Sequence, residues 1–331
     1  MKIKNTPLSI LDLSLVREGH DFAQAFRDSV DYIRFAEELG FKRFWVAEHH
    51  NAKGIASSAT AVLIGYLAEK TSTIRVGSGG IMLPNHSTLQ VAEAFGTLET
   101  MYPDRIDLGL GRAPGTDGQT AAALRRNNPS AVDDYPQEVA ELIQYLEDKR
   151  PESKVNAYPG VGTKVPIWIL GSSPYSAHLA AYYGLPYAFA SHFAPAYLET
   201  ASKIYREEFQ PSAYLDNPYF MPAANVIVAE KEEQAQYLST SYLQMAQNIV
   251  LRKSGKLQPP VENMDAVWQP GVKEAVQQMR KYSFVGTAKT VRKGLENLID
   301  LTDADEVMLT SYFYDPKDRE NSFRLLKGER S

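Results

Sequence analysis

The chain has no cysteine among its 331 residues, which excludes disulfides, thiolate metal centres and cysteine nucleophiles from its chemistry. It has no apolar run approaching the length of a membrane span. It also lacks an extended Lys/Arg stripe: the formal net charge is -5, and the densest basic cluster, Arg125-Arg126, has no interleaved aromatics and reads as a solvated loop. Nucleic acid and membrane are therefore not expected partners. The opening Met1-Lys2-Ile3-Lys4-Asn5 leads into a short strand-like run rather than a signal-peptide core, so cytoplasmic residence is the expectation. Dinucleotide and P-loop fingerprints are missing too. Gly77-Ser78-Gly79-Gly80 lies inside an apolar run, Gly109-Leu110-Gly111-Arg112 lacks a third glycine at the right offset, and no Walker-type loop occurs.

What is present is a repeating alternation. Apolar strand-like runs at Leu8–Val16, Arg43–His49, Arg75–Leu83 and Arg105–Gly111 recur at the length of one βα unit. Between the first two, Asp21–Leu39 places Phe22, Ala25, Phe26, Val30, Ile33 and Phe35 near one face and stops at Gly40, a residue suited to a helix C-terminus. After Gly111 the rhythm breaks over Ala113–Lys164, which carries one helix, Pro136–Asp148, and reads as an insertion above the sheet. The period resumes at Pro166–Gly171, Pro186–His192, Ala224–Ala229 and Glu306–Phe313, with a second insertion before the last strand. Eight units predict an α/β fold, a (β/α)8 TIM barrel with insertions after strand 4 and between strands 7 and 8, as a single domain over residues 1–331. A doubly wound open sheet is the rival, which the missing glycine fingerprint weakens.

The ends of these strands carry the polar chemistry. Phe44-Trp45-Val46-Ala47 runs into Glu48-His49-His50, at the C-terminal mouth where barrel enzymes place catalytic groups. Successive strand side chains point to opposite sides, so the two imidazoles cannot converge on one metal while strand geometry persists. No metal is expected. One histidine could cap the strand end by hydrogen bonding and the other face solvent; position makes His49 the candidate for chemistry, with His50 beside it. Gly77-Ser78-Gly79-Gly80-Ile81-Met82 holds more glycine than strand propensity explains. It marks either a bulge at a barrel bend or a flat ligand lying close to the backbone. Arg112 ends the fourth strand and suits an anionic group, or else a bridge to Asp117 or Glu48. Gly171-Ser172-Ser173-Pro174-Tyr175-Ser176 is a hydroxyl-rich turn opening a helix, which reads as ordinary N-capping or, together with Arg112, as a phosphate clamp. His192 ends the sixth strand, where it is a structural histidine or part of the same mouth.

In order and spacing, Ala47-Glu48-His49-His50-Asn51, Val76 to His86, Arg105 to Arg112, Gly171-Ser172-Ser173, Ala190-Ser191-His192-Phe193 and Val285-Gly286-Thr287 resemble the bacterial luciferase-like, flavin-dependent monooxygenases, in the branch of single-chain oxidoreductases. The likeness covers nearly the whole chain. It implies FMN across the C-terminal mouth, its ring against the third strand, and a non-prolyl cis peptide near Gly79-Gly80. It places phosphate contacts at Arg112, Ser173 and Ser176, further cofactor contacts at Gly79, Gly80, Gly171 and Ser172, the catalytic role at His49, and a substrate pocket bordered by His50, Met82 and His192. The implied reaction is capture of O2 by reduced FMN as a C4a-peroxyflavin, followed by oxygenation of a small organic substrate. NAD(P)H would act indirectly, through a separate NAD(P)H-flavin reductase. A homodimer through the second and third units, around Ala59–Leu67, is also implied. The alternatives are an F420-dependent dehydrogenase on the same barrel, a non-catalytic flavin-binding protein, and a metal-dependent hydrolase, the last disfavoured by the adjacent histidines.

Overall fold

A computed structural model describes residues 1–113, 115–124, 133–148 and 154–329. Arg125-Arg126 and Pro114 lie outside the described residues. A short β1 (Lys2–Ile3) folds back antiparallel on β2 (Thr6–Asp12). From β2 the chain lays down β3 (Arg43–Val46), β4 (Arg75–Met82), β5 (Ile106–Gly111), β6 (Ile167–Gly171), β7 (Tyr187–Phe189) and β8 (Phe220–Val228), each parallel to the one before. A short β9 (Ser283–Gly286) lies beside β8, and β10 (Val307–Thr310) then pairs with both β8 and β2. Ile10 accordingly sits opposite Phe44 on one side and Leu309 on the other, which closes the ring. All eight expected barrel strands are found.

Helices α1 (Phe22–Glu38), α2 (Thr60–Glu69) and α3 (Thr88–Met101) cover the first three strands. Asp21 caps α1 by accepting from the Gln24 amide at 2.8 Å. At the other end Gly40, at φ +75°, allows the Gly40 and Phe41 amides to bond Glu37 and Ala36 carbonyls, the paired closure of a Schellman motif. Phe22, expected on the buried face, is half exposed at the first turn. After β5 come α4 (Gly118–Leu124) and α5 (Tyr135–Leu146). The insertion after the fourth barrel strand is thus present, but its longer helix is not part of it. Val139, Leu142 and Leu146 of α5 are buried in the core between barrel and helices, and the Tyr135 hydroxyl donates to the Leu110 carbonyl at 3.0 Å. It is the fourth helix of the ring.

The ring continues through α6 (Pro174–Tyr183) and α7 (Leu198–Glu208). Between β8 and β10 lie α8 (Glu232–Val250), α9 (Lys273–Met279) and α10 (Ala288–Thr302), and α11 (Pro316–Lys327) returns to pack on α1. Of these α8 and α9 form the second insertion, with their own apolar cluster around Tyr242, Met264, Val276 and Tyr312.

Inside the barrel, the residues nearest the strand starts are charged. Arg43 donates to Asp107 at 2.9 Å and to both Glu306 oxygens at 2.8 and 3.1 Å, and Arg75 adds a 2.7 Å contact to Asp107. All but Arg75 are buried. One layer up, Trp45 and Trp168 meet edge to face at 5.1 Å, and the Trp45 indole also donates to Asp107. Both pack in the barrel interior. The glycines of β4 and β5 answer to this crowding. A Cβ on Gly77 would lie 2.5 Å from the Asp107 carbonyl oxygen, one on Gly80 2.7 Å from that of Gly109, and one on Gly109 2.2 Å from that of Ser78. These three positions are glycine because neighbouring strands approach them, in line with the bulge reading and with the register shift between Gly79 and Ile81.

Candidate active site

Above the tryptophan layer the barrel opens into a cavity of about 790 Å³, inside the range usual for small-molecule and cofactor sites. Its walls collect strand ends that are far apart in sequence. His49 and His50 follow β3, Gly79 and Met82 end β4, Arg112 follows β5, Gly171, Ser172, Ser173 and Ser176 follow β6, and His192 follows β7. Every expected site residue but one therefore borders one space. The exception is Gly80, which is turned into β5 rather than toward the cavity. The peptide bond Gly79-Gly80 is cis, as the resemblance implied.

Beyond the end of β3 the carboxylate joins one imidazole and leaves the other apart. Glu48 is fully buried and accepts from His50 Nε2 at 2.7 Å, from His86 Nε2 at 2.8 Å and from the Met82 amide at 3.1 Å. Burial raises its pKa, but the His86 and His50 hydrogen bonds and the Met82 amide prevail and hold it below the usual carboxylate range. Glu48 thus ties His50 and the end of β4 together, and leaves Arg112 without a carboxylate partner among the described residues. His50, Glu48 and His86 also place three donor atoms within 4.8 Å of one another; each imidazole Nε2 there is already engaged by the carboxylate. Glu48 and His86 were not singled out from sequence as site residues, although both fall inside the motifs that carry the resemblance.

His49 differs from its neighbour. Its Nδ1 is buried without a hydrogen-bond partner, and its pKa is lowered, chiefly by burial, against the raising effect of Glu48. His192 is buried, with Nδ1 likewise unpartnered, and burial pushes it down to about 4. Both imidazoles are neutral at pH 7.

The low His192 value has a stability consequence. An unfolded chain takes up this proton near pH 6.5, whereas the folded chain resists it until about 4. This group's contribution is therefore constant above the unfolded value and falls as pH drops through the window between the two. Urea unfolding is expected to show about 2 kcal/mol lost between pH 7 and pH 5 from this group, and His192→Gln should remove that component. An unchanged pH slope in the variant would contradict the assignment.

The opposite wall is cationic and hydroxyl-rich. The Arg112 guanidinium stacks over Tyr175 at 4.1 Å and forms no ion pair with Asp117 or Glu48. Ser173 sits at the α6 N-cap, yet its side chain makes no capping bond. The capping explanation for this serine turn therefore fails at Ser173, whose hydroxyl remains available. Ser176 is committed differently: it donates to the Ser173 carbonyl at 2.8 Å and meets the Tyr187 hydroxyl at 2.9 Å. A Cβ on Gly171 would collide with it at 1.8 Å. Features that a flat ring with an anionic tail requires are thus on one cavity: a guanidinium, a free hydroxyl and the first amides of a ten-residue helix.

Comparison with known proteins agrees with this geometry. The profile of the luciferase-like monooxygenases matches residues 6–304. A luciferase-like monooxygenase of Escherichia coli K12 is 49% identical over 325 residues, covering 98% of this chain and 97% of that protein. The crystal structure of apo-MsnO8 superposes with a TM-score of 0.91 at 34% identity over 98% of both chains. A monooxygenase component from Pseudomonas putida, the oxygenating constituent of 3,6-diketocamphane monooxygenase solved with FMN, shares the fold at a TM-score of 0.70, with 17% identity over 98% of this chain and 97% of that one. The barrel, the residues gathered at its mouth and the match along nearly the whole sequence together show that the chain belongs to the luciferase-like monooxygenase family.

Proposed function

We propose that the protein is an FMN-dependent monooxygenase, using reduced FMN and O2 to oxygenate a small organic substrate. One observation carries this reading: a single cavity joins the Arg112 and Ser173 wall to the end of β4 at Gly79 and Met82 and to His49, whose buried Nδ1 has no partner. Bound flavin supplies the redox chemistry. Arg112, Ser173 and the α6 amides hold its phosphate. Leu11, Leu13 and Ala47 exclude water. His49 enters neutral, able to accept a proton or to hold one at a single ring nitrogen.

Fluorescence titration with FMN tests the cofactor. Arg112→Gln should weaken binding roughly 10- to 100-fold, the loss of a charge-assisted contact. Failure of the native protein to bind oxidised or reduced FMN, or tighter binding of F420, would overturn the reading. Two associated proposals follow from the resemblance. Reduced flavin is delivered by a separate NAD(P)H-flavin reductase in the same compartment, the cytoplasm; rapid bleaching of bound FMN by NADPH alone would refute delivery. The chain forms a homodimer through α2, where Val62 and Tyr66 are exposed; a light-scattering mass of one chain would refute that. No helix among the described residues is long and apolar enough to cross a membrane.

A further inference from the structure

The cavity is positively charged in an acidic protein. Its described lining contains Arg112, Arg252, Lys253 and Lys256 against one carboxylate, Asp117, while the whole chain carries -5. Asp117 is occupied by the Thr120 hydroxyl and by Asn51. Arg112 stands at the serine turn, so three cations remain in one sequence segment on another part of the wall.

That segment is a fixed wall. The Leu257 amide donates to Val16 and the Glu18 amide to the Leu257 carbonyl, both at 2.9 Å; the Lys53 amide donates to Ser254 Oγ at 3.0 Å. Gly54 and Gly255 meet so closely that a Cβ on Gly54 would lie 1.9 Å from the Gly255 oxygen. Lys256 Nζ donates to the His20 carbonyl at 2.7 Å, whereas Arg252 and Lys253 have no ion pair among the described residues. Arg252 also occupies a position where glycine is favoured. It follows the last turn of α8 at φ +53°, with the Arg252 amide bonding the Ile249 carbonyl and the Lys253 amide that of Asn248. A left-handed non-glycine residue costs about 1–2 kcal/mol, and the helix dipole returns only ~0.3–1 kcal/mol for a cation there. Closing the helix therefore does not account for the arginine. Next to it the wall is apolar, through Leu13, Leu15, Met245 and Ile249.

We infer that this basic lip recognises the carboxylate of the substrate, so that the protein acts on an organic acid with an aliphatic body, anchored by Arg252 and Lys253 while its chain lies on the Leu13, Leu15, Met245 and Ile249 wall. The inference rests on the flavin reading for what happens to the acid, but not for its binding. Calorimetry on the full chain loaded with FMN compares octanoate with octanamide, which share the aliphatic chain and differ at the head, an anionic oxygen against a neutral NH2. Octanoate should bind at least ~10-fold tighter. The variant Arg252→Gly with Lys253→Gln removes both charges and restores the usual residue at the helix end, so folding is preserved. It should abolish the preference and leave FMN affinity within about threefold. Equal binding of the two probes by the native chain, or a preference that survives in the variant, overturns the inference. A variant that loses FMN affinity ~10-fold or more overturns it too, by assigning the lip to the cofactor. Should the native chain bind no FMN, the flavin reading falls by itself, and the same pair of titrations on the flavin-free chain still decides the acid.

Discussion

Replacing His49 with Gln is expected to lower oxygenation turnover by ~10²–10⁴-fold, the usual worth of a general acid or base, while FMN still binds. Glutamine keeps comparable bulk and hydrogen-bonding atoms but cannot titrate. The effect therefore isolates proton handling from packing. The sign of the pH dependence follows from the environment. Burial lowers the His49 pKa, so the neutral imidazole persists to lower pH than a solvent-exposed one. Turnover of the native protein should fall on the acid side as His49 takes up a proton, and that limb should vanish in the variant. Single-turnover kinetics with pre-reduced FMN measure both. An unchanged rate, or a rate loss matched by an equal loss of FMN affinity, would remove His49 from the chemistry.

The largest stability effect is expected at the other end of the barrel. Arg43 holds two buried carboxylates, and burial, which lowers its own pKa, is outweighed by Asp107 and Glu306, leaving it raised. Arg43→Met removes the partner those two charges share, leaving Asp107 with Arg75 and Glu306 with Lys42, and should destabilise the chain by about 3 kcal/mol in urea unfolding. Burial drives both carboxyls up, yet Arg43, joined by Arg75 at Asp107 and by Lys42 at Glu306, keeps each below its ordinary range. Such groups stabilise the fold above the unfolded carboxylate pKa, and that contribution is lost as pH falls through the folded values. The acid sensitivity of the native chain should accordingly shrink in Arg43→Met. Pairing the substitution with Glu306→Gln should cost less than the sum of the two, because one interaction is lost in both. Additive losses would show that the pair does not couple.

Much of the barrel was legible because buried parallel strands are apolar on both faces, and that pattern needs no knowledge of partners. Strand ends were less legible. The runs Arg43–His49 and Pro186–His192 continue past β3 at Val46 and β7 at Phe189, since mouth residues stay buried beneath the insertions after their ladder bonds stop. β9 was missed because four residues alongside β8 carry no periodicity. Among site residues, motif order was enough to bring His49, Arg112 and Ser173 to one cavity. It gave no hint that Glu48 gathers His50, His86 and the Met82 amide, because three of these come together only when β3 and β4 pair. The Arg43–Glu306 contact spans 263 positions, and charges at strand starts read simply as boundaries. The same holds for Arg252 and Lys253, which border the cavity only because Gly255 docks on Gly54.

That docking has an evolutionary corollary. The wall bearing Arg252 comes from an excursion outside the repeating units, whereas the guanidinium that fastens the strands together belongs to the opposite pole of the ring. Drift in the excursion can retune which molecules are admitted without disturbing what keeps the polypeptide assembled. Relatives that diverge between α8 and α9 while keeping counterparts of Arg43, Asp107 and Glu306 would be expected to differ in diet rather than in durability.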